Sequence, residues 1–117
     1  ADHQDRTRRT AAQRAAEDVV MQILEPHDEH NWITAVIQGR WVQAKVYDIP
    51  STFGVGHGRV SKLAIGKTDK RDPERRFFDQ MAYNYDRGLD FHNVDELPPV
   101  LLAAIVEELE ALPNRRM

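Results

Sequence analysis

Two alternating apolar runs and one helical stripe lay out most of the chain. Trp32-Ile-Thr-Ala-Val-Ile-Gln38 and Trp41-Val-Gln-Ala-Lys-Val-Tyr47 are rich in β-branched and aromatic residues and flank Gly39-Arg40, which predicts a hairpin closed by a type II′ turn with glycine first. That turn pairs Ile37 with Val42, Ala35 with Ala44 and Ile33 with Val46, so that one face is wholly apolar. The other face pairs Trp32 with Tyr47, Thr34 with Lys45, Val36 with Gln43 and Gln38 with Trp41. Slipping the register puts Arg40 opposite Ile37, so the apolar pattern favours the first pairing. A third strand is expected from about Arg59 to Ile65. A fourth fits Phe78 to Tyr85, although Phe77 to Met81 equally suits a helical turn begun at Pro73.

Helical spacing marks the two ends. Ala12, Ala15, Ala16, Val19, Val20, Ile23 and Leu24 predict a first helix from about residue 7 or 10 to residue 24, stopped by Pro26. Leu101, Leu102, Ile105, Val106, Leu109 and Leu112 predict a second from Pro98 or Pro99 to Leu112, with proline tolerated in the first turn. The expected fold class is therefore α+β with two layers, in the order α-β-β-β-β-α. A four-stranded antiparallel sheet is covered on one face by the helices. Residues 1–117 make one domain, with residues 1–10 free to fray and residues 66–76 a charged connector that bends at Asp72-Pro73.

Composition narrows the setting. The 117 residues include no cysteine, which removes disulfides, thiolate metal sites and cysteine nucleophiles and suits a reducing cytoplasm. No apolar run approaches the roughly 20 residues of a membrane helix, and the polar start lacks a secretory pattern. The net charge of −3 is uneven. Arg6, Arg8, Arg9 and Arg14 make a basic start. Arg59, Lys62, Lys67, Lys70, Arg71, Arg75 and Arg76 form a second basic stretch diluted by Asp69, Asp72 and Glu74, and acids outnumber arginines from Phe77 onward. Such a charge dipole can steer a partner by either end.

The chemistry concentrates around Gly54, Gly56 and Gly58, which lead straight into the third strand. Glycines at alternate positions with Lys62 four residues on suggest a phosphate loop, but that site needs a following helix N-terminus and here a strand follows. A partner-binding loop is the better reading, with Gly54, Gly56, His57, Gly58, Arg59 and Lys62 joined by Asp86, Arg87 and Asp90. If strands three and four pair antiparallel, the start of one lies beside the end of the other. A hydrolase-like alternative uses His57, Asp86, Asp90 and His92, yet no nucleophile elbow or paired zinc histidines accompany them. His27-Asp28-Glu29-His30 is the most metal-like cluster, and a plain polar connection accounts for it, so neither metal nor cofactor is expected.

Phe53-Gly54-Val55, Gly58-Arg59-Val60-Ser61-Lys62-Leu63 and Asn84-Tyr85-Asp86-Arg87-Gly88-Leu89-Asp90, followed by an acidic-to-apolar helix, resemble a family of small uncharacterised proteins common in phage and mobile-element genomes. The resemblance covers roughly residues 41–110. Leu89 stands where that family suggests tryptophan, residues 66–76 look inserted, and the helix before Pro26 looks added. The resemblance implies a fold and a genomic setting, with no activity attached. The leading expectation is a non-enzymatic accessory protein that binds a protein partner through its glycine loop and sheet surface, anchored by Trp32, Trp41 and Tyr47. The alternative is a nucleic-acid-binding module using the basic N-terminus and the 67–76 connector, with Trp41 and Tyr47 stacking on bases. Docking in the manner of a double-stranded RNA-binding module is disfavoured, because Asp95 and Glu96 occupy the approach to the last helix.

Overall fold

The computed structural model describes residues 21–114. One antiparallel sheet of six strands runs in sequence order, β1 (Met21–Glu25), β2 (Trp32–Ile37), β3 (Arg40–Val46), β4 (Val60–Gly66), β5 (Met81–Asp86) and β6 (Leu89–His92). The described residues hold one α-helix, α1 (Pro99–Glu110). The expected α-β-β-β-β-α order, a four-stranded sheet with the helices on one face, is thus corrected among the described residues to a six-stranded meander covered by one helix.

Each departure has a local cause. The N-terminal helix was expected to reach Leu24, but Met21–Glu25 is a strand on the edge of β2, and the rest of that expected helix lies outside the described residues. Ile23 and Leu24 fit either period. The unpaired amides and carbonyls of β2 decide the matter by taking β1 as a partner. At the other edge, β6 escapes a period-two reading because a bulge separates its pairs, Tyr85 with Leu89 and Asn84 with Phe91, leaving Asp90 as the extra residue. The expected fourth strand from Phe78 is shortened, since Phe78–Gln80 forms a 3-10 turn.

The first hairpin keeps its faces but not its pairs. Its two-residue turn is Gln38-Gly39, with φ of 53° and 77°, which is the type I′ geometry favoured by strand twist. The expected type II′ turn at Gly39-Arg40 is displaced by one residue. Ile37 therefore pairs with Arg40, Ala35 with Val42, Ile33 with Ala44 and Trp32 with Lys45. Arg40 is tolerated opposite Ile37 because it lies at the strand end, where its guanidinium donates to the Gly66 and Glu96 carbonyls at 3.3 and 2.6 Å.

The core lies between one sheet face and α1. Ile33, Ala35, Ile37, Val42, Ala44, Val46, Leu63 and Ile65 meet Leu97, Ile105 and Leu109, with Leu101, Leu102 and Val106 packed at the margin. Each fully buried Val, Leu or Ile contributes roughly 1.5–3 kcal/mol against exposure. Tyr83 is buried on this side. Burial first, and the neighbouring Tyr85 second, push its phenol from 10.0 up to about 12. The unfolded chain ionises near the ordinary value, so the contribution of Tyr83 is intact below about pH 10 and is lost as pH rises towards 12. Urea midpoints measured at about pH 9 and pH 11 should fall more steeply for the wild type than for Tyr83→Phe.

The opposite face carries a smaller apolar cluster at one end. Trp41, Ala64 and Met81 are buried there under Phe77 and Phe91. Edge-to-face contacts link Trp41 to Phe77 at 6.1 Å, Phe77 to Phe78 at 5.2 Å and Phe78 to Phe91 at 6.1 Å. Residues 66–80 fold over this end. The buried Gln80 side chain accepts from the Asp72 amide and donates to the Asp72, Arg75 and Arg76 carbonyls. Arg71 lies over the Trp41 and Phe77 rings at 5.8 and 5.0 Å. The charged connector is therefore a cover over one end of the face, and among the described residues the other end is open.

Candidate functional site: a cleft beside the glycine loop

The glycine stretch folds on itself before it delivers β4. The Ser51 amide donates to the Gly58 carbonyl, Gly54 to Ser51, His57 to Gly54 and Gly58 to Val55, all at 2.8–3.0 Å. Gly56 and His57 turn the chain at φ of 58° and 59°, a region glycine enters without steric cost. Their tip is exposed, whereas Gly54 is buried. A Cβ on Gly54 would overlap the Gly58 carbonyl, and one on Gly58 would overlap the Glu110 carboxylate.

The amides that follow the glycines do bind an anion, and it is the protein's own. Arg59 N–H donates to both Glu110 carboxylate oxygens, at 3.1 and 2.8 Å, and Val60 N–H reaches one of them at 3.3 Å. The Arg59 side chain turns inward beside them. Its Nε donates to the Tyr47 carbonyl at 2.7 Å, and its Nη1 donates to the Glu110 and Leu112 carbonyls at 2.9 and 2.6 Å. The Glu110 carbonyl is among the acceptors that a helix C-terminus leaves unpaired, Leu112 lies two residues beyond the helix, and a cation there is favoured by the helix dipole. Arg59 is only 9% exposed, and its Nη2 has no partner among the described residues. Gly58 and Arg59 thus lock the end of α1 to the sheet.

On the open half-face, Trp32 pairs with Lys45, Lys45 with Lys62 and Lys62 with Asp86, a row across four strands. Lys62 Nζ and Arg87 Nε each stand 3.5 Å from the same Asp86 oxygen. Lys45 lies 5.9 Å from the Trp32 ring and 5.7 Å from the Tyr47 ring. The Arg87 amide donates to the Ser61 carbonyl at 2.8 Å, and the Tyr85 hydroxyl donates to the Phe53 carbonyl at 2.9 Å. These two bonds bring the glycine loop and the Asp86 turn to the same end of the sheet. Between them lies a cleft of about 420 Å³ whose walls include Lys45, Tyr47, Ile49, Phe53, Lys62 and Arg87.

Eight of the nine residues expected to bind a partner fall into three groups. Lys62 and Arg87 line the cleft, with Asp86 paired to both; Gly56 and His57 form the nearby exposed loop tip; Gly54 and Arg59 are buried and Gly58 is half-buried. Asp90 accepts from the Asn84 amide group at 2.6 Å. The candidate acid–base set does not assemble. His92 faces the helix side of the sheet, where its ring meets Tyr83 edge to face and its Nε2 donates to the Leu97 carbonyl at 2.7 Å, while Asp86 lies on the open side. In the His27-Asp28-Glu29-His30 cluster, His27 donates to the Val46 carbonyl and Asp28 accepts from the His30 and Trp32 amides. Among the described residues no group of three histidine or acidic side chains is placed to hold a metal ion. Trp41 is only 7% exposed, so its ring is not available for stacking.

Ile49, Phe53 and Lys45 were not among the nine. Ile49 and Phe53 are 73% and 61% exposed. The sequence carries a signal for both, since each is a large apolar residue in a segment of turn formers where no strand or helix period places it in the core.

A family model described as a domain of unknown function, DUF7678, matches residues 31–110. No curated protein and no solved structure matches the chain. The matched region holds β2 to α1 and every residue of the cleft. Among the described residues no helix is long and apolar enough to cross a membrane.

Proposed function

The chain belongs to the DUF7678 family, and from that premise we propose that it is a non-enzymatic binding protein that meets a protein partner at the cleft beside the glycine loop. One observation carries the reading. Ile49 and Phe53 are exposed on the rim of a concave site that also gathers Lys45, Lys62 and Arg87. Exposed apolar side chains grouped with charged ones on a rigid sheet are a recognition surface. The glycine loop serves by holding Phe53 in place, fixed at one side by the Tyr85 hydroxyl and at the other by the lock between Arg59 and α1. The setting we propose is the cytoplasm, as an accessory factor of a phage or mobile element, supported by the lack of cysteine and the likeness around Phe53 to Leu63 and Asn84 to Asp90.

Nucleic acid is the weaker reading on two counts. Trp41 is covered, and Arg71 of the connector is engaged over Trp41 and Phe77. The test is affinity capture from nuclease-treated lysate with the wild type and with Phe53→Asp, each checked for a cooperative melt. Phe53→Asp is expected to keep the fold and to lose the captured partner at least tenfold, since a charge replaces an apolar anchor. Undiminished capture by a folded Phe53→Asp would remove the cleft from the contact.

A further inference from the structure

Among the described residues the charges lining the cleft do not balance. Lys45 and Lys62 stand directly opposite each other on β3 and β4, where side chains on one face come within about 4.5–5.5 Å at Cβ and like charges are unfavourable. Arg87 adds a third cation. Among the described residues their ion-pair partner at the cleft is Asp86, shared by Lys62 and Arg87, while Lys45 rests near two aromatic rings. The excess positive charge faces an apolar wall of Ile49, Pro50 and Phe53. The two lysines lie on the sheet face opposite the helix-covered core.

We propose that the cleft takes an extended peptide segment in which a carboxylate stands next to a bulky apolar side chain. The carboxylate binds between Lys45 and Lys62 with Arg87 at its edge, and the apolar side chain lies against Ile49 and Phe53. An anion placed there relieves the repulsion between the lysines, and charge-assisted hydrogen bonds to ammonium and guanidinium groups fix its position. A basic or uncharged segment gains only the apolar part. This ligand class rests on the reading of the cleft as the recognition surface, and the test separates the two.

The full chain is used to select from a displayed random heptapeptide library. Enriched peptides are synthesised and measured by fluorescence anisotropy against wild type, Lys45→Gln, Lys62→Gln and Phe53→Ala, each with its melt. The expected result is enrichment of Asp or Glu beside Phe, Trp, Leu or Ile. Binding should weaken about tenfold in each lysine variant, the effect of losing one charged contact. Wild-type binding should also fall as salt rises, a readout that needs no variant. Peptides that depend on Phe53 but show no acidic preference and no salt dependence would overturn the ligand class and leave the recognition surface standing. Peptides indifferent to Phe53 would overturn both. Oligo(dT) that displaces the peptides at lower concentration than they bind would assign the cations to nucleic acid and overturn the proposal.

Discussion

Replacing Arg59 with Met should lower the unfolding free energy by about 2–4 kcal/mol, the range for leaving buried acceptors of a charged donor unpaired. Three carbonyls depend on that side chain, those of Tyr47, Glu110 and Leu112. Methionine fills much of the volume and satisfies none of them. Arg59→Lys should recover only part of the loss, because one ammonium cannot reproduce a planar fork aimed at two elements. Urea denaturation of the three proteins measures this directly, with the m-value reporting whether the end of α1 has already left the sheet in the variants. A Met variant as stable as wild type would mean that the α1 end is held by Glu110 and apolar packing alone.

Gly54→Ala should destabilise the loop by about 1–3 kcal/mol, the cost of forcing an extra methyl into a packed site. The methyl overlaps the Gly58 carbonyl, which also accepts from Ser51. Since both are backbone atoms, the loop can relieve the overlap only by opening. Phe53 is the adjacent residue and its carbonyl is held by Tyr85, so the opening also removes one wall of the cleft. Partner binding should therefore fall together with stability. Gly56→Asn is the matched comparison. Gly56 has φ of 58° with open space around it, and asparagine accepts that conformation better than other side chains. It should fold and bind nearly as wild type. If Gly54→Ala instead bound normally, the glycine loop would have no part in shaping the cleft.

What could be read from the sequence followed from where apolar period and backbone demand agree. Val42 to Val46 alternates cleanly, Ile33 to Ile37 and Val60 to Ile65 are rich in strand formers, and Leu101 to Leu109 recur at helical spacing, so β2, β3, β4 and α1 were legible. The edge strands were not. Ile23 and Leu24 satisfy a helix as well as a strand, and the deciding term is the open edge of β2, which no local window contains. In β6 the bulge at Asp90 breaks the alternation that would have marked it. The hairpin register failed at Gln38, which adopts positive φ although glycine at the next position suggested a different turn.

The site was legible in outline only. Lys62, Asp86 and Arg87 follow from antiparallel pairing of β4 with β5. Arg59 is expected in a partner-binding loop, because nothing near it in sequence reveals the carbonyls of Glu110 and Leu112. Ile49 and Phe53 sit in segments without a period, so their meeting with Lys45 depends on how the 48–58 segment folds back onto the sheet. That information is tertiary.

The most direct test of the cleft as the recognition surface is photo-crosslinking. Benzoylphenylalanine is placed at position 53, on the cleft, or at position 100, where Val100 is 78% exposed on α1. Both sites are open to solvent, so reactivity differs only through what lies against them. After irradiation in nuclease-treated lysate, the account predicts a discrete covalent protein adduct from position 53, suppressed by Lys62→Gln in the same chain, and none from position 100. Equal adducts from both positions, or an adduct from position 100 alone, would contradict it.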